Sequence, residues 1–129
     1  MREVILDTET TGLDPATGHR IVEIGGIELI YHVPSGRRFH CFVNPERDMP
    51  DEAFAVHGLS TDFLRQKPTF ASIADELLEF LGESRLVIHN AGFDLNFLNF
   101  ELEHTRRAPI PVARVVDTLL LARQKLLKS

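Results

Sequence analysis

The sequence predicts a mixed α/β domain in which one sheet is flanked by helices. Short runs rich in Ile, Val and Leu recur along the chain, and such runs are typical of strands. Three segments in the second half instead repeat their apolar residues at helical spacing. The chain has 129 residues, which is the size of a single domain, so we expect one domain over residues 1–129.

The first third of the chain predicts three antiparallel strands. Val4–Leu6 is an apolar run that ends in polar residues, as a central strand does where it leaves a core. Ile21–Ile30 is the second strand, in which the Gly25–Gly26 pair indicates a bulge or a close approach to the backbone. Turn residues at 33–36 lead into a third strand at Phe39–Val43, and so short a turn predicts a hairpin.

The middle of the chain predicts a helix followed by a fourth strand. Apolar residues between positions 73 and 81 share one helix face, with Ser72 available as the N-cap and Gly82 just past the end. Residues 85–89 form the fourth strand, because Leu86–Ile88 is a short apolar run.

Two more helices are predicted after the fourth strand. Asn90 is placed to cap the first of them, and prolines at 109 and 111 break the chain after it. The last helix runs from about Asp117 to Leu127 and carries leucines on more than one face. A helix that is apolar nearly all round needs neighbours on both sides, so we expect a further segment or a partner to cover it.

Composition and charge exclude several classes of function. Fourteen Lys and Arg against nineteen Asp and Glu give a net charge of −5, which argues against adhesion to nucleic acid by bulk positive charge. Metal ions that neutralise local carboxylates still allow nucleic acid to bind. No apolar run reaches the roughly 18–20 residues of a membrane span, so we expect no membrane partner. Cys41 is the single cysteine, which fits a reducing compartment and a cytoplasmic location.

Three carboxylates predict a site for divalent cations. Asp7 and Glu9 lie two residues apart at the end of the first strand, so they point the same way with Cα atoms about 6–7 Å apart. Asp94 lies in the first turn of the helix after the fourth strand, at the sheet edge where ligands bind in open α/β sheets. Such oxygen ligands suit Mg²⁺ or Mn²⁺. Taken singly, Asp7 and Glu9 could be solvated surface acids, and Asp94 could serve only to stabilise the helix dipole. The segments around these acids therefore decide between a metal site and these simpler roles.

Four segments together supply that context and resemble the DEDD 3′→5′ exonucleases. Ile5–Pro15 is similar to the first motif of the family, and Pro50–Ser60 to its substrate-contacting segment. Val87–Asp94 is similar to the second motif, and Val115–Leu119 to the stretch that follows it. The segments occur in family order and cover nearly the whole chain. Within the family, the greatest likeness is to the epsilon group, the proofreading subunits of bacterial DNA polymerase III.

The resemblance implies a fold and a metal centre. The fold is a ribonuclease-H-like mixed sheet flanked by helices, with the first three strands antiparallel. Asp7, Glu9 and Asp94 are implied to be the catalytic residues and the ligands of two divalent cations, Mg²⁺ or Mn²⁺. Paired ions of this kind activate a water molecule and stabilise the leaving 3′ oxygen.

The resemblance also implies a substrate and partners. Thr10, Glu52 and His57, together with Asp7 and Glu9, are implied to bind the terminal nucleotide of a single-stranded DNA 3′ end. The implied activity is removal of terminal nucleotides during proofreading. The implied protein partners are the catalytic subunit and the other core subunits of DNA polymerase III.

The sequence departs from the family in its third motif, which should supply a histidine general base and a fourth aspartate. Residues 118–129 contain neither a histidine nor an acid. We therefore expect the family domain to be C-terminally truncated here, with about two more helices in the complete form. A general base contributes ~10²–10⁴-fold to rate, so we expect this chain alone to be weak or inactive.

Two alternatives stay open at this point. One is a non-catalytic binding module that keeps the fold to contact a polymerase or single-stranded DNA. The intact acids Asp7, Glu9 and Asp94 count against it, because a module without chemistry would be free to lose them. The other is a related exonuclease that acts on RNA ends, although the segment at 52–60 is more similar to the polymerase subunits.

Overall fold

A computed structural model describes the backbone of residues 1–128. It describes the burial and contacts of side chains for residues 1–125. In this range the strands are β1 (Arg2–Thr10), β2 (Ile21–Ile30), β3 (Val33–Phe42), β4 (Arg85–Ile88) and β5 (Val115–Asp117). The helices are α1 (Asp51–His57), α2 (Thr61–Arg65), α3 (Phe70–Leu81), α4 (Ala91–His104) and α5 (Thr118–Lys128).

One five-stranded mixed sheet organises the described chain. Its strand order is β3-β2-β1-β4-β5. The first three strands are antiparallel, while β4 is parallel to β1 and β5 is parallel to β4. The predicted mixed sheet flanked by helices is confirmed, as is the hairpin formed by the second and third strands.

The residues of β1 alternate between two faces of the sheet. Val4, Leu6 and Thr8 are buried on the face that we call the covered face, where apolar side chains of α3 and α4 complete the core. Ile5 and Asp7 point to the opposite face, which we call the open face, and Ile5 is 41% exposed there. This alternation follows from the two-residue period of a strand.

A close approach, rather than a bulge, explains the glycine pair in β2. A Cβ added to Gly26 would lie 3.0 Å from the ring of Phe80 and 3.4 Å from Val4. The β1–β2 register is regular at both glycines and shifts instead between Glu9 and Thr10. Gly26 therefore allows α3 to pack directly on the covered face.

The predicted turn at 33–36 is wrong, because β3 already begins at Val33. The hairpin turn lies at Tyr31 and His32, whose φ angles are +48° and +68°. Two successive positive φ angles are typical of the tight turns that match strand twist. Neither residue is a glycine or an asparagine, so the sequence carried no signal for a turn at this place.

One helix boundary and three short elements also differ from the prediction. Helix α3 begins at Phe70 with Thr69 at its N-cap, so Ser72 is not the cap and bonds the Thr69 carbonyl from within the first turn. Helices α1 and α2 were not predicted, because seven and five residues are too few to show an apolar period. Strand β5 was not predicted either, since it has only three residues.

The predicted final helix is present as α5. Its Leu120 and Leu121 are 53% and 52% exposed, which agrees with its excess of apolar residues. The predictions for the side chains of Leu126 and Leu127 lie outside the described residues. Among residues 1–128, the helices are too short or too polar for any of them to cross a membrane.

Candidate active site

Two predicted metal ligands lie together at the end of β1. Asp7 and Glu9 point to the open face, as their spacing predicts. Asp7 faces Gly25 across the sheet, where a Cβ would have no neighbour within 4 Å, so the space beside this carboxylate is free. Partial burial and the charge of Asp7 raise the pKa of Glu9 above its ordinary value, although His57 opposes the rise.

The third predicted ligand, Asp94, is held against β1 by Thr8. Asp94 is 4% exposed in the first turn of α4, and its Oδ1 accepts hydrogen bonds from the backbone N–H of Thr8 at 3.1 Å and from the Thr8 hydroxyl. Strand β4 pairs with β1 only as far as Ile5, which leaves the Thr8 amide to Asp94. Burial raises the pKa of Asp94 to about 6, the bonds from Thr8 oppose this rise, and the charge of Asp7 adds to it.

The chemistry of these donors fits a divalent cation, although their side chains are not gathered into one ligand set. Among residues 1–128, no group of three or more His, Cys, Asp or Glu is arranged to hold a metal ion. Asp7 nevertheless acts electrostatically on both Glu9 and Asp94, so a cation among them would relieve mutual repulsion. Both bonds from Thr8 end on Oδ1 of Asp94, which leaves Oδ2 free of Thr8. The assignment of the three acids as ligands stays a prediction.

A cavity of about 460 Å³ opens beside Glu9. This volume lies within the range of small-molecule sites, roughly 300–1,000 Å³. Its wall combines the end of β1 and the following turn with α1 and the start of α4. The lining includes Glu9, Thr10, Gly12, Leu13, Glu52, His57 and Phe93. The predicted nucleotide-binding residues Thr10, Glu52 and His57 are thus brought together with Glu9, while Asp7 and Asp94 lie outside the lining.

Both ring nitrogens of His57 are engaged. Nδ1 accepts a hydrogen bond from the backbone N–H of Leu59 at 3.1 Å, so the proton is on Nε2, which donates to the carbonyl of Thr10 at 3.1 Å. Gly58 follows at the left-handed end of α1, with φ of +72°, and lets the chain turn back toward the ring. His57 therefore ties α1 to the end of β1 through both of its ring nitrogens.

The sequence did not identify His19, which packs against the turn after β1. A Cβ on Gly12 would lie only 2.4 Å from the His19 ring, so a glycine is needed there. Nδ1 of His19 contacts the Thr11 hydroxyl at 2.9 Å and Arg47 at 3.3 Å. Arginine can only donate, so this nitrogen is an acceptor. Thr8 was missed as well, although the strand period already placed it on the face opposite Asp7.

Known proteins of one family are similar to this chain. The family model described as an exonuclease matches residues 4–128. DNA polymerase III subunit epsilon of Rickettsia conorii is 57% identical over 126 residues, which are 95% of this chain and 55% of that protein. The subunit of Escherichia coli K12 is 41% identical over 131 residues, covering 95% and 54%. The chain spans about half the length of the curated relatives that it matches.

Solved structures share the fold. Exonuclease X in complex with 5′ overhanging duplex DNA aligns with a TM-score of 0.70 and 28% identity, over 95% of this chain and 63% of that one. The metal-free complex of E. coli exonuclease I with single-stranded DNA aligns with a TM-score of 0.83 over 95% and 29% of the two chains. Its 18% identity shows a common fold alone.

These findings confirm the resemblance to the DEDD exonucleases and the ribonuclease-H-like fold. Members of the family generally use divalent metal ions. Because the family model spans the strands, the cavity and all three predicted acids, the chain belongs to the exonuclease family.

Proposed function

We propose that this chain carries the site of a metal-dependent 3′→5′ exonuclease that removes terminal nucleotides from DNA 3′ ends as the proofreading subunit of a replicative polymerase. The observation that carries the proposal is the 460 Å³ cavity whose wall includes Glu9, beside the acids Asp7 and Asp94. Membership of the exonuclease family supports the same reaction.

In this proposal Asp7, Glu9 and Asp94 hold two divalent cations, Mg²⁺ or Mn²⁺. Bound ions of this kind supply Lewis acidity and an activated water for phosphodiester hydrolysis. The chain itself orients the acids. Strand β1 directs Asp7 and Glu9 to one face, and Thr8 fixes Asp94 beside that strand. Hard oxygen donors of this type favour these two ions.

The terminal nucleotide is proposed to lie in the cavity, against Thr10, Glu52 and His57, with Asp7 and Glu9 at the scissile end. The Thr10 hydroxyl donates to the Gly12 carbonyl at 2.6 Å, and His57 holds the Thr10 carbonyl, so the turn that would receive the nucleotide is already shaped. A preformed wall lowers the entropy that binding costs.

The general base of the family's third motif has no counterpart in residues 118–129. Residues 118–129 contain no histidine and no acid. His57 is a poor substitute because both of its nitrogens are engaged. We therefore expect the chain alone to cleave ~10²–10⁴-fold more slowly than a site that has a base.

The partners are proposed from the relatives. Those relatives are DNA polymerase III epsilon subunits, so we propose the catalytic subunit and other core subunits of that polymerase as protein partners. A single-stranded DNA 3′ end is the proposed substrate, and a cytoplasmic location goes with these partners.

The test is a degradation assay on single-stranded DNA labelled at either end, with Mn²⁺, and with imidazole added to replace the missing base. We expect stepwise shortening of the 5′-labelled strand, immediate release of a 3′-terminal label as a mononucleotide, and loss of both with a chelator. Asp7→Ala should fall to background. Asp75→Ala is the matched control, because Asp75 is an exposed acid on α3 that pairs with Arg107, and neither residue lines the cavity.

Three outcomes would contradict the proposal in different ways. Mn²⁺ binding that Asp7→Ala removes, without cleavage even when imidazole is present, would favour a non-catalytic module. Faster degradation of short RNA than of DNA would favour the RNA-end enzyme, since the 2′-hydroxyl distinguishes the two substrates. Neither metal binding nor cleavage would remove the exonuclease assignment for this chain.

His57→Ala tests the substrate role separately. We expect KM for the DNA end to rise while the Mn²⁺ concentration needed for half-maximal rate changes little, because His57 shapes the cavity through the Thr10 carbonyl. His32→Ala, in the exposed β2–β3 turn, is the control. A shift in the Mn²⁺ requirement without a shift in KM would indicate a metal ligand instead.

A further inference from the structure

Asp117 joins the ends of two neighbouring strands and has no part in the site as described so far. In the parallel β4–β5 ladder, Asp117 is paired with Ile88, the last residue of β4. The chain leaves β4 at this level for α4, and it leaves β5 for α5. The side chain of Asp117 therefore lies at the starts of both helices.

One carboxylate accepts hydrogen bonds from both helix starts. Oδ1 of Asp117 accepts from the backbone N–H of Asn90 at 3.0 Å and of Leu119 at 2.9 Å, and Oδ2 accepts from Ala91 at 3.1 Å. The bond to Leu119 is an ordinary N-cap for α5. The bonds to Asn90 and Ala91 reach 27 and 26 residues back along the chain and anchor α4.

Helix α4 depends on this contact because it has no cap of its own. Asn90 occupies the N-cap position with left-handed angles of φ +60° and ψ +55°, and its side chain makes no capping bond. The first amides of a helix need an acceptor from elsewhere in such a case. A second tie links His89 Nδ1 to the Thr118 hydroxyl at 3.0 Å, so the two helix starts are bound together twice.

We propose that Asp117 is a positioning residue that fixes the first turn of α4 and thereby holds the carboxylate of Asp94 against β1. Asp94 is three residues after Ala91 in that same turn, and its Oδ1 meets the Thr8 amide. A shift of the turn would move Asp94 away from Asp7 and Glu9. The consequence for metal binding rests on the proposed function, in which these acids are ligands.

The test compares Asp117→Ser with Asp75→Ser, the same replacement on an exposed acid of α3. Serine keeps one oxygen that can cap α5, but it removes the second oxygen and the charge that anchor α4. The first readout is hydrogen exchange of the Thr8 amide in chelator, which reports whether Asp94 is in place without any metal. The second is the Mn²⁺ dissociation constant, measured by electron paramagnetic resonance.

We expect Asp117→Ser to speed exchange of the Thr8 amide about tenfold or more and to weaken Mn²⁺ binding about 10–100-fold, as loss of groups that orient metal ligands does. Exchange at Val4 and Leu6, on the same strand, should stay as in the original chain. Asp75→Ser should change neither readout. Unchanged Thr8 exchange in Asp117→Ser would overturn the proposal, because capping of α5 would then be the whole role.

The readouts also separate this proposal from the proposed function. If the original chain binds no Mn²⁺, the metal assignment fails while Thr8 exchange still decides the role of Asp117. If Asp117→Ser unfolds, Asp117→Asn carries the test, since it keeps the shape and one acceptor but turns a donor toward Ala91 or Asn90. Global loss of exchange protection in both variants would overturn local positioning in favour of a general structural role.

Discussion

The two faces of the sheet give the residues of β1 different environments. On the covered face Val4 and Leu6 are almost fully buried, and their surroundings are the apolar side chains of α3 and α4. On the open face Ile5 is 41% exposed, and the next two positions on that side are Asp7 and Glu9. One strand thus serves packing with its even residues and chemistry with its odd ones.

The division has an energetic reason. Acids that are to bind a cation must keep access to solvent and ions, because full burial of unpaired charge is expensive. The open face gives Asp7 that access, while the covered face supplies the rigidity that fixes its direction. Asp94 links the two regions, since it bonds to Thr8 on the covered face and the charge of Asp7 on the open face raises its pKa.

The largest expected difference between the faces is in stability. Leu6→Ala should lower the free energy of unfolding by about 2–5 kcal/mol, because Leu6 is only 2% exposed and its truncation leaves a cavity in the core. Ile5→Ala, one residue away on the open face, should cost less than about 1.5 kcal/mol, since much of its side chain is already in water. Urea denaturation of both variants checks this. Equal losses would mean that the open face is packed as tightly as the covered one.

The two glycines of β2 sharpen the comparison without removing any side chain. Gly26→Ala should destabilise the protein by about 1–3 kcal/mol, because the new methyl group would meet Phe80 at 3.0 Å. Gly25→Ala adds the same methyl group on the open face, where nothing lies within 4 Å, and should be neutral or slightly stabilising. Thermal melts of the pair are the measurement, and the opposite order would reverse the assignment of the two faces.

The sequence predicts the two faces better than it predicts the connections. The common direction of Asp7 and Glu9 follows from strand periodicity alone, and the close approach at Gly26 was one of two predicted readings of that glycine pair. The hairpin turn at Tyr31 and His32 carries no turn residue, so its position depends on how the two strands register.

The anchoring of α4 shows a second kind of limit. Asn90 has the residue type and position of an N-cap, and the sequence therefore predicts that its side chain caps the helix. The structure gives that task to Asp117, which local sequence could not indicate because the partners are 26 and 27 residues apart. The role of His19 could not be predicted for a similar reason, since it depends on contacts with Gly12 and Arg47 that form only in the fold.

The smallest expected effect concerns Asp94, where the two regions meet. Its pKa is raised from 3.8 to about 6 in the folded protein, so the folded state binds this proton more tightly than the unfolded state does. Stability from this group is therefore present below about pH 4 and falls as the pH rises to about 6. In chelator at pH 7.5, Asp94→Asn should raise the free energy of unfolding by about 1–2 kcal/mol, because the amide keeps an acceptor for Thr8 without the buried charge.

The same variant should lose this advantage under two conditions. At pH 4 the acid is already protonated in the folded state, so urea denaturation should give nearly equal stabilities for the two proteins. With excess Mn²⁺ at pH 7.5 the original chain should gain stability by binding the ion and the variant should gain less, since ligand binding stabilises only the state that binds. A variant that is less stable in chelator at pH 7.5 would show that the hydrogen bonds from Thr8 fully offset the cost of burying the charged Asp94 carboxylate. The carboxylate would then be part of the covered face's structure rather than a charge kept there for a cation.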